Sequence, residues 1–469
     1  MQRIASTWAK ASVQSEFEEA RLGDVRRTRR LQGIARVVTA NPEAGFPGLV
    51  KNDSELEGIY RFLSNPQVSA DAILEPHIEA TMARAREAKQ VLMVHDTTDL
   101  TFGGKGEREG LGPVHGAQQG FLAHVALVLL PGESRLPLGI GGVVRVVRDK
   151  TPKSSSSKSQ PKPPSESQRW EQLVRQTQAR SEGFECLHVM DREGDAFELL
   201  GTMLDLNARF IVRAAHNRAL LDAEAAKLKP ELEQLVPVAR RTIQLSVRSD
   251  KARSAKSLHK HPSRQARSAE VAVAGWRVTL RRPASAHYGQ PAVSLNVVYV
   301  WEPSPPEGQP AVSWVLYTTE PVLTAEQLWT IVDHYRSRWT IEELFKALKT
   351  GCNIEKRQLE SFHGLANTLS IFLPIACKML LARSLVRAAP NAPARQILPA
   401  VLLHLLQEHL QLPAPLQTAE QALFAIAKLG GHLRRNGAPG WQTIGRGFEA
   451  LLWMHVGWRA ANAQRSDQS

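Results

Sequence analysis

Between about residues 90 and 147 the apolar positions come in short runs, VLMVHDTT, HVALVLL and GGVVRVV, each bounded by Gly, Pro or Asp. Runs of this length, rich in β-branched residues, predict strands, and three in succession predict a sheet with antiparallel pairs. Further on, Trp170 to Arg180 has helical spacing, ECLHVMD reads as a buried strand, AFELLGTMLDL as a helix and RFIVRAAH as another strand. That alternation predicts parallel βαβ pairing. From about 225 to 320 it breaks: RTIQLSVRS, EVAVAGWRVTLRR, VSLNVVYVWE and VSWVLYTTE are strand-like and separated by Pro, Gly and charged loops, which predicts an all-β insertion. Thr324 and Gln327 form a T-x-x-Q capping box, predicting a long helix to about Lys349 with Gly351 as its stop. Residues 1 to about 70 are rich in helix formers. From about 365 the chain is apolar and mostly helical, interrupted by AAPNAPA and GGHLRRNGAPGW, and is expected to pack as a separate helical domain.

Length and charge sharpen this picture. At 469 residues and 51.9 kDa the chain exceeds a usual single domain several-fold, so two to four domains are expected. With 43% hydrophobic and 22% charged residues, a collagenous, wholly disordered or coiled-coil chain is excluded. Lys plus Arg number 59 against 46 Asp plus Glu, so 59 − 46 = +13, which favours a polyanionic partner: nucleic acid first, an anionic membrane surface second. The basic residues gather in RLGDVRRTRRL, with Arg21, Arg26, Arg27, Arg29 and Arg30, and in the stretch 248–267. Either suits a phosphate backbone, and either equally suits a solvated face. The Ser-, Lys- and Pro-rich stretch 148–168 cannot bury a core and is expected to be a mobile loop. Cys186, Cys352 and Cys377 have no CxxC spacing and cannot all pair, and MQRIASTWAK lacks an apolar signal segment. The most apolar stretch, IFLPIACKMLLA, is shorter than the ~20 residues a bilayer needs and contains Lys378. The expectation is a soluble, cytoplasmic protein with no membrane partner.

The segment YRSRWTIEELFKALK carries the most chemistry. With Tyr335 at zero and ~100° per residue, Arg338 falls at about 300°, Glu342 at about 340°, Lys346 at about 20° and Lys349 at about 320°. One stripe thus holds a carboxylate flanked by cations and a phenol, the order of a metal-binding acid bordered by phosphate-binding groups. The i,i+4 spacing of Glu342 and Lys346 equally suits a salt-bridged exposed face. Asp96 in HDTTDLTF and Asp191 in VMDREGD are each read as ending a strand, at the sheet edge where α/β folds bind ligands. Turn or capping aspartates fit those positions too, and Asp99, Glu193 and Asp195 compete with them. Two strand-end aspartates and a helix glutamate suit two Mg²⁺ ions, which prefer oxygen ligands and promote in-line phosphoryl displacement. Phosphodiester cleavage is then the natural reaction.

At this point a resemblance becomes specific. The chain resembles a cut-and-paste DDE transposase of the bacterial Tn-five type, in the insertion-sequence-four family. That family's Y-x-x-R-x-x-x-E-x-x-x-x-x-x-K signature is matched in full by Tyr335, Arg338, Glu342 and Lys349. The resemblance implies an α/β, ribonuclease-H-like catalytic core with an all-β insertion, flanked by an N-terminal helical DNA-binding domain and a C-terminal helical dimerisation domain. Applied here, it implies a DNA-end-binding domain at 1–70, a catalytic domain at 71–365 with its insertion at about 225–320, and a dimerisation domain at 366–469. It makes Asp96, Asp191 and Glu342 the metal-binding acids for two Mg²⁺ or Mn²⁺ ions per active site. Tyr335, Arg338, Lys346, Lys349 and Arg213 would grip phosphates, and Trp314 would stack on a displaced base, although an ordinary core tryptophan also fits that strand. Arg26, Arg27, Arg30 and Arg61 would read the DNA end.

The implied reaction nicks each transposon end, turns the freed 3′-hydroxyl on the opposite strand to form a hairpin, resolves it with water and joins the hydroxyl to target DNA. The implied partners are double-stranded DNA, as transposon ends and target, and a second copy of the chain on that DNA. The implied location is the bacterial cytoplasm, at the nucleoid when DNA is bound. Two alternatives stay open: a nuclease of the same fold without strand transfer, and a catalytically inactive end-binding protein derived from a transposase.

Overall fold

The computed structural model describes residues 2–104, 106–114, 118–149, 168–221, 227–245, 265–396 and 398–433, and parts of 439–458. The 148–168 and 248–267 stretches lie almost wholly outside the described residues, and so does much of the expected dimerisation segment after 433. The chain divides into two compact units, residues 1–186 with 339–469, and residues 187–338. The first of these draws on all three expected domains.

In the first unit, helices α1 (Gln2–Lys10), α2 (Val25–Ala40), α3 (Asp53–Leu63) and α4 (Ala70–Ala88) precede the strands β1 (Gln90–Phe102), β2 (Gly112–Pro113), β3 (Gln119–Leu129) and β4 (Pro137–Val146). As the pattern predicts, β1–β3 and β3–β4 are antiparallel. β3 is buried at every position after Gln119, because α4 and α5 (Gln168–Ala179) pack over the strands; a strand covered on both faces reads as a continuous apolar run. Gly139 on β4 makes room for α4: its φ is +141°, and a Cβ there would stand 2.0 Å from Thr81 Oγ1.

A buried polar knot fastens the N-terminal residues to this core. His77 Nδ1 meets Glu16 Oε2 at 2.5 Å and its Nε2 lies 3.0 Å from the Ile140 N–H, while Arg84 pairs with Glu16 at 3.0 and 3.1 Å. Because Nε2 accepts from a backbone donor, the imidazole is the neutral form with its proton on Nδ1.

The remaining helices of this unit are α9 (Trp339–Lys346), which runs into a π turn at Ala347–Gly351, α10 (Phe362–Ala388), α11 (Ala400–His409) and α12 (Ala419–Leu429). α10 has 27 residues and is long and apolar enough to cross a membrane, unlike the shorter stretch singled out in the sequence. It is nonetheless 72% buried over its most apolar window, packed on α4 and β4, and so serves as a core helix. For the same reason the residues after 365 begin inside this core and not in a separate domain.

The second unit holds β5 (Glu185–Met190, from Leu187 onward), α6 (Phe197–Asp205), β6 (Arg209–Arg213), α7 (Leu228–Glu233), β7 (Ala239–Leu245), β8 (Arg267–Arg281), β9 (Ala292–Trp301), β10 (Ser313–Thr318) and α8 (Ala325–Ser337). β5 and β6 are parallel, as the alternation predicts. The β-rich block differs from the expected all-β insertion in two ways. It contains α7, and β10 pairs antiparallel with β6 as well as β9, so its strands prolong the β5–β6 sheet. The Thr324/Gln327 capping box is present at the start of α8. The long helix it begins is divided: α8 ends at Ser337, and Arg338, whose N–H bonds to Tyr335, separates it from α9.

Candidate active site

Asp96 lies in the middle of β1, opposite Val125, and does not end the strand as expected. β1 continues to Phe102 because Thr98, Leu100 and Phe102 keep alternate positions buried against the core. The Asp96 carboxylate accepts the Thr97 N–H at 2.8 Å, which fixes its rotamer. Next to it, Thr97 Oγ1 is 3.0 Å from His124 Nδ1 and accepts from Arg169 Nε at 3.1 Å. Burial, with Arg169 adding to it and the Asp96 backbone opposing, pushes the His124 imidazole down to about 3. His124 is therefore a neutral, fixed neighbour at physiological pH.

Glu342 is on α9, which packs against β1, so two of the three expected acids ride on adjoining elements of one unit. Its neighbour Glu343 is spent on structure: it pairs with Lys346 at 3.0 Å and Arg383 at 2.9 Å. Burial works against the Glu343 carboxylate, yet Lys346, Arg383 and Arg387 hold its pKa below the ordinary value. Lys346 thus forms its ion pair with Glu343 at i,i+3. Lys349, in the π turn, pairs with Glu355 at 3.5 Å, and Glu355 also accepts from Thr101 N and Oγ1 on β1 at 2.9 and 3.0 Å. The lysine of the signature is thereby anchored to the strand that carries Asp96.

Asp191 follows the last residue of β5 and caps the 3₁₀ turn Arg192–Gly194, accepting the Glu193 N–H at 2.8 Å. Arg213 ends the neighbouring strand β6, one residue beyond the Met190–Val212 pair, and its guanidinium stands 3.5 Å from the Ser313 carbonyl. Arg192, which the sequence reading passed over, joins them. Partial burial and the nearby Arg213 lower its pKa, while Tyr335 and Asp191 oppose. Arg192 and Arg213 thus repel each other electrostatically near the Tyr335 phenol. The only sequence signal for Arg192 was its position directly after Asp191. Trp314 on β10 and the largely buried Tyr335 bring their rings to 6.4 Å.

The competing acid Asp195 is accounted for: it is buried, accepts the Ala215 and His216 N–H groups at 2.6 and 3.0 Å, and pairs with Arg218 at 2.5 Å. Asp191 belongs to the second unit, whereas Asp96 and Glu342 belong to the first. Among the described residues no group of three or more His, Cys, Asp or Glu side chains forms a ready cage for a metal ion.

Of the N-terminal arginines, Arg26 is 87% exposed and Arg61 70%, and Arg30 is exposed beside Gly58. Arg27 is the exception, because its guanidinium is bound to the Leu22 carbonyl at 2.8 Å and to Gln67.

Comparison with known proteins gives this arrangement its class. Residues 8–68 match the family model described as Transposase DNA-binding, and residues 158–373 match that described as Transposase DDE domain. The two matches indicate a DNA transposase of the DDE class, with DNA as its partner. The DDE match takes in Asp191 and the whole Tyr335–Lys349 signature and begins after Asp96. Among solved structures, the chain is similar to a piggyBac transposase in a synaptic complex with hairpin DNA, at 9% identity and a TM-score of 0.34, covering 82% of this chain and 76% of that one.

Proposed function

We propose that the chain is a cut-and-paste transposase of the Tn-five type with a ribonuclease-H-like core, which binds the inverted-repeat ends of its element, cleaves them, forms and resolves hairpins, and transfers the ends to target DNA as a dimer in the bacterial cytoplasm. The observation that carries this reading is the sorting of acids. Asp195 and Glu343 are consumed by Arg218, Arg383 and Lys346, while Asp96 on β1 and Asp191 directly after β5 each have their carboxylate oriented by a backbone N–H, and Glu342 stands on α9, which packs against β1.

Asp96, Asp191 and Glu342 would hold Mg²⁺ or Mn²⁺. The donor set fits, since all three offer hard carboxylate oxygens, and Asp96 and Asp191 each have one oxygen fixed by a backbone N–H. When bound, such ions activate the attacking oxygen and stabilise the leaving one. The chain's own groups do the rest. Arg192 and Arg213 grip phosphate at the β5–β6 strand ends, with Tyr335 beside them, while Arg338 and Lys349 add positive charge along the signature, and Trp314 offers a face to a displaced base. The exposed Arg26, Arg30 and Arg61 hold the DNA end.

The substrate is found in the DNA flanking the coding region, as short inverted repeats bracketed by a target duplication. With a fragment carrying those repeats, the chain is expected to cleave in Mg²⁺ and to join the ends to a second DNA. Asp96→Ala, Asp191→Ala and Glu342→Ala should each lose cleavage by at least about 100-fold, worth several kcal/mol of charge stabilisation, while binding the fragment normally. Cleavage without joining would leave a nuclease; binding without cleavage by the parent chain would leave an end-binding protein.

A further inference from the structure

Glu355 lies beyond the Tyr335–Lys349 signature, yet it is the acid that meets the last residue of it. Its Oε1 stands 3.5 Å from Lys349 Nζ, with the lysine side chain 32% exposed and the glutamate 28%. The same oxygen accepts the Thr101 N–H at 2.9 Å and the Thr101 hydroxyl at 3.0 Å. Two donors from β1 thus fix the carboxylate that faces the lysine. The chain around it is fixed as well. A π turn, closed by the Cys352 N–H on the Ala347 carbonyl at 2.9 Å, takes Lys349 out of the regular helix, and Asn353, at φ +47°, turns the chain into the 3₁₀ turn Ile354–Lys356. That turn is held on either side of Glu355. Ile354 is 1% exposed, and the buried Arg357 guanidinium binds the Pro42 and Cys352 carbonyls at 2.6 and 2.7 Å and the Ala44 carbonyl as well.

On a chain that binds DNA, a carboxylate at this place opposes binding, because it stands beside a cation that grips phosphate and repels that same phosphate. Its retention in a pinned orientation calls for a compensating role. A lysine ammonium is a point charge on a flexible stem, so by itself it fixes no direction, whereas a cleavage site loses rate steeply when the bound strand is misplaced. We propose that Glu355, oriented by Thr101, is a positioning residue that holds the Lys349 ammonium against β1, so that the phosphate gripped there is aligned with the strand that carries Asp96. The ammonium has three N–H donors, and one directed at Glu355 leaves two for the phosphate. This role rests on the transposase reading, in which Lys349 grips phosphate, and it names what aims that lysine.

The test uses the full chain and reads three quantities: labelling of Lys349 by an amine-reactive ester, followed by mass spectrometry; affinity for a duplex carrying the inverted repeats, without divalent metal; and the cleavage rate in Mg²⁺ at saturating duplex. Glu355→Gln keeps an oxygen for both Thr101 donors and removes only the charge. It should raise Lys349 labelling about 3-fold, bind the duplex as tightly as the parent or up to about 10-fold more tightly, and cleave at least about 10-fold more slowly. A merely structural residue would lower affinity and cleavage together. Thr101→Val removes one of the two donors and should slow cleavage by a smaller factor in the same direction. Added to Lys349→Met, Glu355→Gln should change the residual cleavage by less than about 2-fold, because the partner it aims is gone. Unchanged labelling of Lys349, affinity that falls in step with cleavage, or an equal loss of cleavage in the Lys349→Met chain would each overturn the proposal. A parent chain that cleaves no DNA would count against the transposase reading instead, and the labelling, which needs neither DNA nor metal, would still decide whether Glu355 holds Lys349.

Discussion

Asp191 and Asp195 share one short string, MDREGD, and differ only in what reaches them from elsewhere in the chain. Arg218 comes from 23 residues away to meet Asp195 in the interior, whereas Asp191 has the local Glu193 N–H and the neighbouring Arg192. Asp195→Ala should therefore cost about 3–5 kcal/mol, because it strands a buried guanidinium, while Asp191→Ala should cost only about 1 kcal/mol for the lost cap. Urea melts of the two variants check this, and equal losses would contradict the assignment. The paired arginines make a second expectation. Arg192→Ala and Arg213→Ala should each lower the slope of log affinity for DNA against log salt by about 1, since each removes one phosphate contact. Arg213→Lys should not restore full affinity, because an ammonium lacks the planar fork. The sequence made Asp191 visible by its strand-end position and Arg213 through a resemblance; Arg192 emerged only when β5 and β6 were seen side by side.

Elements were legible where their periodicity was strong and their boundaries were set locally. The β1, β3 and β4 runs, the β5–α6–β6 alternation and the α8 capping box all follow from side-chain spacing within a few residues. The end of β1 was not legible, since Thr97 to Phe102 mixes polar and apolar residues and owes its strand form to pairing with Gln119–His124. The break at Arg338 and the π turn after Lys346 are likewise invisible to a helical wheel, which assumes one unbroken helix. Close packing between elements gives a test at this scale. Gly139→Ala should destabilise the chain by about 1–3 kcal/mol, because its Cβ would collide with Thr81 on α4 and its φ suits only glycine. Thermal melting that matched the parent would show that α4 and β4 can separate at no cost.

For the whole chain, buried histidines set the response to acid. Burial lowers His188 to about 4 and His124 to about 3, and holds His77 below its ordinary value despite Glu16. Below the unfolded histidine value of ~6.5 the unfolded chain takes up protons that the folded chain refuses, so stability falls as pH drops from there toward the folded values. Glu16 acts in the same direction lower down. Burial would raise it, but His77 and Arg84 bring it to about 2, so its contribution is present above the ordinary carboxylate range and is lost as pH falls toward 2. Thermal melts from pH 7.5 to 4 should be flat at first and then decline from about pH 6.5; a melting temperature that held steady or rose over that interval would refute it. The net charge of +13, by contrast, was readable without any fold, and with it the polyanionic partner. The sequence by itself determined the kinds of element, the charge balance and the Tyr335–Lys349 signature, because these are properties of neighbouring residues. The tertiary structure alone decided that Asp195, Glu343 and Arg27 are spent on structure, that Arg192 joins Arg213, and that α10 belongs to the core. Each of those outcomes depends on which partner the fold carries to a side chain, and spacing along the chain does not record that.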